Sequence, residues 1–108
     1  MLRIIITIAV VFFIVYPASA EVDYKQAIEI VKKLPSSEGG TVDQLLSNKA
    51  KLPVIEDLGW KAYPREDGFE IERLMLLNKT TPLSYKWHVD KATGKAKPVN
   101  GKAIGITK

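Results

Sequence analysis

The stretch at residues 84–103, SYKWHVDKATGKAKPVNGKA, most constrains what this chain can fold into. Its first half alternates apolar and polar side chains, the pattern of a strand with one buried face. Residues 90–94, DKATG, then have turn composition, because Asp bonds to nearby backbone groups and Gly accepts positive φ. A second extended run follows at residues 96–100. The stretch therefore predicts a β-hairpin whose Trp87 belongs to a small core.

The first 20 residues differ from everything that follows. Arg3 supplies a positive charge, residues 4–16 are an almost unbroken apolar run, and residues 18–20, ASA, are small enough for a signal peptidase. The run covers about 13 residues, whereas a membrane-spanning helix needs about 20. We therefore predict that residues 1–20 are a cleaved signal peptide, with a retained anchor as the alternative. Residues 21–108 are then one small α+β domain, with no transmembrane segment after cleavage.

Cysteine content and charge bear on where the chain works and what it binds. There is no Cys, so the lipid-attachment residue of bacterial lipoproteins is missing and the domain is stable without disulfides. Residues 79–108 contain seven lysines and one acid, Asp90, whereas residues 21–78 contain eight basic and eleven acidic residues. With the export signal, this predicts a periplasmic or secreted bacterial protein that does not bind nucleic acid. A solvated lysine face is the simpler interpretation of the basic end, and an anionic envelope surface the alternative partner.

Two helices are predicted at the start of the domain. Asp23 is a suitable N-cap for a helix whose apolar residues recur at helical spacing up to Leu34. Thr41 is a second N-cap, followed by a short helix that frays near Asn48. We expect residues 49–58, which contain a proline, to form an irregular connection.

From Gly59 onward the apolar period changes to two. A strand begins there and ends at Pro64, and the Asp-Gly pair of residues 65–68, REDG, predicts a hairpin. A second strand at residues 69–77 and a loop at residues 78–83 precede the hairpin described above. The predicted fold is α+β, with two N-terminal helices packed on one face of a four-stranded antiparallel sheet. The aromatic residues predicted to face the helices are Trp60, Phe69, Tyr85 and Trp87.

The strand at residues 69–77 contains an ambiguity that bears on function. Its first half alternates, with Glu70 and Glu72 facing away from the core, but its last four residues are all apolar. A bulge near Arg73 is one explanation, and it turns Leu74 and Leu76 inward. The other is that both leucines lie on the outer sheet face, where they form an exposed apolar patch of the kind that marks partner surfaces.

Parts of the chain resemble known exported domains. Residues 85–94, YKWHVDKATG, are similar to the strand–turn–strand ending of PepSY domains, and residues 27–34, AIEIVKKL, to the helix that such domains carry. The helix–helix–four-strand order, with Trp60 opening the sheet, also resembles single copies of the beta-lactamase-inhibitor-protein-like fold. Both families are mostly non-enzymatic. The resemblance therefore implies an inhibitor, an assembly factor or a binding module.

Residues suited to catalysis or metal binding are few. His88 is the only histidine, its nearest acid in the strand pattern is Asp90, and no Gly-x-Ser-x-Gly sequence supplies a nucleophile. Zinc lacks thiolate ligands, and Glu70 and Glu72 lack the loop that accompanies a calcium site. We therefore predict no enzyme, and no catalytic, cofactor or metal site.

These observations predict a small exported interaction module of the bacterial envelope, inhibitor-like or assembly-like. Its partner is an unknown protein or a second copy in a weak homodimer. The possible interface residues are Tyr63 and Arg65, a pair of types common in interfaces, together with Leu74 and Leu76. The alternative is a peripheral protein that binds anionic lipid or cell-wall polymer through a Lys-rich C-terminal face.

The signal peptide gives the first testable prediction. We expect protein recovered from the envelope or the medium to begin at Glu21, because the small residues at 18–20 satisfy signal peptidase. Intact-mass measurement of the exported chain checks this. A species that retains Met1 would contradict the cleavage.

Overall fold

The structure, a computed structural model, describes residues 21–108, and the predicted signal peptide lies outside them. The predicted α+β class and four-stranded antiparallel sheet are confirmed. Among the described residues, no helix is both long and apolar enough to cross a membrane. The elements in chain order are α1 (Tyr24–Lys32), α2 (Val42–Ala50), β1 (Ile55–Arg65), β2 (Gly68–Leu77), β3 (Thr81–Asp90), β4 (Ala96–Pro98) and α3 (Gly101–Ile106).

Both N-terminal helices begin at the predicted caps. The Asp23 carboxylate accepts the N–H of Gln26 at 2.8 Å, and the Gln26 side chain accepts the N–H of Asp23 at 3.0 Å. Thr41 and Gln44 form the same reciprocal pair ahead of α2. Each pair satisfies two donors that a helix start otherwise leaves free. Each helix then buries a short apolar stripe, Ala27 and Val31 in α1 and Val42 and Leu46 in α2.

The sheet is a meander in the order β1-β2-β3-β4. The pairing of β2 with β3 is continuous from Gly68 to Leu77, so the bulge considered near Arg73 is not there. The irregularity lies in the neighbouring strand β1, between Asp57 and Gly59. The expectation of an irregular connection at residues 49–58 was therefore wrong at its end, because β1 already begins at Ile55. Gly59 has a φ of 87°, a value that glycine adopts without strain.

One face of the sheet packs on the helices. Residues that are paired across neighbouring strands share a face, so Trp60, Arg73 and Tyr85 lie side by side on it. The four aromatic residues predicted to face inward all lie there, and the rings of Trp60 and Trp87 are 5.8 Å apart. The fully or nearly buried apolar residues of this core are Ala27, Val31, Val42, Leu46, Ile71, Met75, Tyr85, Trp87, Val89 and Ala103.

A third helix, which was not predicted, completes the helix layer. Asn100 caps α3 by accepting the N–H of Ala103 at 3.0 Å. Its side chain also accepts the N–H of Lys86 at 3.2 Å and donates to the carbonyl of Ser84 at 2.8 Å. These bonds satisfy backbone groups of β3 beyond the end of β4, as a neighbouring strand would. Beyond α3, the hydroxyl of Thr107 accepts the indole N–H of Trp87 at 2.9 Å. The C-terminal segment is therefore part of the core rather than a tail.

Arg73 is a charged residue on the buried face, only 5% exposed. Its Nε donates to Asp57 Oδ1 at 2.9 Å, and Nη2 donates to the other oxygen of the same carboxylate. Nη1 lies 3.7 Å from Asp43 on α2, and the guanidinium lies 5.1 Å from the centre of the Trp60 ring. One side chain thus joins β2 to the bulge of β1 and to α2, and its desolvated charge is compensated on each side.

Acid sensitivity follows from this ion pair. Hydrogen bonding to Arg73 lowers the pKa of Asp57 from its usual 3.8, despite the opposing effect of partial burial. The stabilisation is therefore present above the unfolded-state pKa and is lost as pH falls through the lowered folded-state pKa. We expect Asp57→Asn to lower the free energy of unfolding at pH 7 by about 1–2 kcal/mol and to flatten its decline below pH about 4.

Urea unfolding at several pH values checks this. Asp43→Asn is the matched control, with a smaller expected effect because its contact with Arg73 is longer. Parallel stability curves for wild type and Asp57→Asn between pH 7 and pH about 2 would contradict the proposed role of the pair.

Candidate functional site: the open face of the sheet

The face of the sheet opposite the helices is covered by no other described element, and we call it the open face. It has two halves. The half nearer residues 66–67 is charged, and the half nearer residues 78–80 is apolar. The charged half consists of Lys61, Tyr63, Arg65, Glu70, Glu72, Lys86, His88 and Lys97, and the apolar half of Leu74, Leu76 and Pro82. Glu56 lies at the β1 edge of the apolar half.

Glu70 forms the ion pairs of the charged half. Arg65 Nη2 lies 3.2 Å from Glu70 Oε1, and Lys86 Nζ lies 3.8 Å from Glu70 Oε2. Each pair is partly solvated and contributes about 0–1 kcal/mol. More important is that basic residues on β1 and β3 flank an acidic residue on β2. Because opposite charges alternate across the strands, this half presents no large field of one sign.

Glu72 is the buried member of the charged half, 8% exposed. Its two oxygens accept the hydroxyl of Tyr63, at 3.0 Å, and the hydroxyl of Ser84. The bond to Glu72 raises the pKa of Tyr63 above 10.0, so its hydroxyl stays protonated at neutral pH. The Arg65 guanidinium lies 5.9 Å from the centre of the Tyr63 ring. Tyr63 and Arg65, two of the residues proposed from the sequence, are thus in contact and held in place.

His88 has a different partner from the one that its strand suggests. Its Nε2 lies 2.9 Å from Asp67 Oδ1, in the turn between β1 and β2, and this bond is the main cause that lowers the pKa of Asp67. Asp90 instead accepts the backbone N–H groups of Ala92 and Thr93, which lower its pKa and shape the next turn. Among the described residues, no three acidic, His or Cys side chains are placed to hold a metal ion.

Leu74 and Leu76 form the apolar half together with Pro82. Both leucines are half-buried and neither packs on the core cluster. Leu74 lies between Gly59 and Ser84 across the strands, and Leu76 between Glu56 and Pro82. Because Gly59 has no side chain and Ser84 has a short one, the neighbouring strands leave part of Leu74 exposed. The structure therefore places the two leucines together, at the other end of the face from Tyr63 and Arg65.

The C-terminal lysines do not share one face. Lys79 lies between β2 and β3, whereas Lys91 and Lys95 lie beyond the opposite end of β3. Lys86 and Lys97 are on the open face, and Lys102 is on α3. The charge asymmetry of the sequence is therefore spread around the domain.

Both edges of the sheet are unsuited to pairing with another strand. The outer strand β1 has a bulge at residues 57–59 and Pro64 near its end. The free side of β3 is covered in part by β4 and by Asn100, and Pro82 near its start has no N–H to donate. Bulges and prolines of this kind prevent edge-to-edge association. The open face, rather than an edge, is the available surface.

The surroundings of His88 give a further prediction. We expect His88→Ala to keep the fold, with a thermal stability close to that of the wild type, because its partner Asp67 is solvent-exposed and such pairs contribute little. We also expect it to weaken binding only slightly, since His88 lies on the charged half of the open face and does not adjoin Leu74 or Leu76. Thermal unfolding and the binding measurements described below check both points. Loss of activity without loss of stability would show that His88 has a functional role.

Comparison with protein-family models found no match, and comparison with curated proteins and with solved structures found none either. The function is therefore inferred from the surfaces of the domain.

Proposed function

We propose that this chain is a small exported interaction module, without catalytic activity, that binds a protein partner through the open face of its sheet. The observation that carries the proposal is the pair Leu74 and Leu76 on a face that no described element covers. Complete burial of a leucine contributes about 1.5–3 kcal/mol. Both leucines are partly covered already, so a partner gains only a fraction of this from each, and the rest of the face must contribute too.

The arrangement around the two leucines supports a protein partner. Interfaces between proteins have an apolar centre and a polar rim, in which Tyr and Arg are frequent. On the open face, the leucines adjoin a row of alternating charges that ends at Tyr63 and Arg65. Those two side chains are already fixed by Glu72, Glu70 and each other, so binding costs little of their conformational entropy.

The alternative, binding of an anionic polymer or lipid through a Lys-rich C-terminal face, has less support. A charge-driven surface needs its lysines close together, within the Debye length of about 8–10 Å. Lys79 and Lys91 instead lie beyond opposite ends of β3, a strand of ten residues and therefore about 30 Å long.

Leu76→Glu tests the proposal. We expect a folded variant with the thermal stability of the wild type, because Leu76 does not pack on the core. A charge in the apolar half of the face weakens or removes binding, because covering it requires its desolvation. Association is measured by sedimentation of the purified chain and by crosslinking capture from envelope extract. Ile104→Glu, which changes an exposed residue of α3, is the matched control.

Two outcomes count against the proposal. A Leu76→Glu variant that fails to fold shows that Leu76 stabilises the domain itself. A folded variant that binds the same partners as the wild type and Ile104→Glu shows that binding uses another surface.

A further inference from the structure

One end of the domain combines exposed apolar side chains with lysines. It consists of residues 51–54, which join α2 to β1, and residues 78–80, which join β2 to β3, and we call it the loop end. Leu52 and Val54 are 50% and 49% exposed, among the most exposed large apolar residues of the described chain. Both belong to a segment of four residues, so the exposure is concentrated rather than scattered.

The backbone holds this end in a fixed shape. The N–H of Leu52 donates to the carbonyl of Lys49 at 3.1 Å, and the N–H of Ile55 donates to the carbonyl of Leu52 at 3.0 Å. The N–H of Asn78 donates to the carbonyl of Val54 at 2.8 Å and so joins the two loops. Leu52 and Val54 are therefore presented from a structured turn, and their insertion into another phase costs little backbone entropy.

Three lysines surround the apolar pair: Lys49 and Lys51 at the end of α2, and Lys79 in the other loop. None of the three forms an ion pair with another described residue. Of the nearby acids, Glu56 is also free of ion pairs among the described residues, but Asp57 is neutralised by Arg73. The loop end therefore carries a positive balance beside its apolar side chains.

The turn that joins β2 to β3 fixes the position of Lys79. Its φ is 65°, and Asn78 before it has a φ of 53°. Asn tolerates this conformation and glycine prefers it, whereas a lysine in it is disfavoured by the clash of Cβ with the backbone. Positive φ at both central residues is the geometry of a tight hairpin turn, closed here by the N–H of Thr80 on the carbonyl of Leu77 at 3.2 Å. Lys79 is therefore fixed at the tip of the turn.

From these observations we infer that the loop end docks on a bilayer that contains anionic phospholipid. Leu52 and Val54 enter the boundary between headgroups and acyl chains, and Lys49, Lys51 and Lys79 contact the phosphates. A bilayer fits better than a protein partner, because the apolar side chains protrude and the three lysines outnumber the one unpaired acid nearby among the described residues, Glu56. This inference does not rest on the proposed function, since it uses different residues.

The start of the described chain lies away from this surface. The N–H of Val22 donates to the carbonyl of Lys91 at 2.9 Å, beyond the far end of β3 from residues 78–80. Docking through the loop end is therefore a property of residues 49–54 and 78–80 alone.

The absence of Cys allows a site-specific test. Val54→Cys, labelled with the environment-sensitive fluorophore NBD, is mixed with vesicles of equal parts phosphatidylglycerol and phosphatidylcholine, or of phosphatidylcholine alone. We expect a blue shift and quenching by lipid-bound quenchers on the anionic vesicles only. Ile104→Cys with the same label is the control, because Ile104 is 59% exposed on another surface, and its emission should not change.

Vesicle cosedimentation of unlabelled variants separates the contribution of the apolar side chains from that of the lysines. Leu52→Glu should weaken binding to the anionic vesicles at least about tenfold, since it removes one of the two inserted side chains. Lys51→Glu and Lys79→Glu should each weaken it about fivefold or more and reduce the salt dependence, whereas Lys102→Glu on α3 should change neither. The open-face variant Leu76→Glu is compared separately, so that failure of the proposed function is recognised independently.

The inference is overturned if the label at position 54 stays in water on anionic vesicles, or if position 104 responds equally. It is also overturned if the label at position 54 shifts with protein concentration in the absence of lipid. The loop end is then a contact between copies of this chain.

Discussion

The ion pair between Arg73 and Asp57 determines the register in which the start of β1 pairs with β2. A guanidinium on the buried face requires a carboxylate on the same face, because an uncompensated buried charge is strongly unfavourable. Without the irregularity in β1, residue 58 would lie opposite Met75 and Asp57 would point to the open face. The extra residue in the bulge moves Asp57 opposite Met75, on the side of Arg73, and moves Ile55 onto the core. One charge pair thus fixes the face of every residue before the bulge.

The surfaces discussed above follow from that register. Because Asp57 and Ile55 point to the helices, Glu56 lies on the open face beside Leu76. Leu58 is displaced in the bulge and remains 38% exposed, and Val54, which precedes Ile55, points away from the core and is exposed too. Apolar side chains that a regular strand would have buried are left outside. The apolar character of this end is therefore a consequence of stabilising Arg73 inside the domain.

The local signals in the sequence predicted those parts of the fold that local chemistry decides. The N-caps Asp23 and Thr41, the turn at Asp90 and the in-facing aromatics are each set by a few neighbouring residues. The bulge at residues 57–59 was not predicted, because its cause, Arg73, lies in another strand. The bond from His88 to Asp67 depends on the register of three strands. The helix α3 was missed because its six residues include two glycines, and Asn100 and Trp87 stabilise its position through tertiary contacts.

The two proposed surfaces are compatible in geometry. Strand β3 runs from the loop end to the opposite end of the sheet, where Val22 is hydrogen-bonded to Lys91. When the loop end docks on a bilayer, the strands therefore point towards the bilayer surface. The open face runs along the strands and therefore stands perpendicular to the plane of such a bilayer, with Leu76 nearer the lipid and Tyr63 and Arg65 farther from it. A partner that covers Leu74 and Leu76 is then held beside the membrane surface, where headgroup contacts add to a weak protein interface. Two weak contacts that share one rigid domain bind more tightly than either alone, because the second forms at high effective concentration.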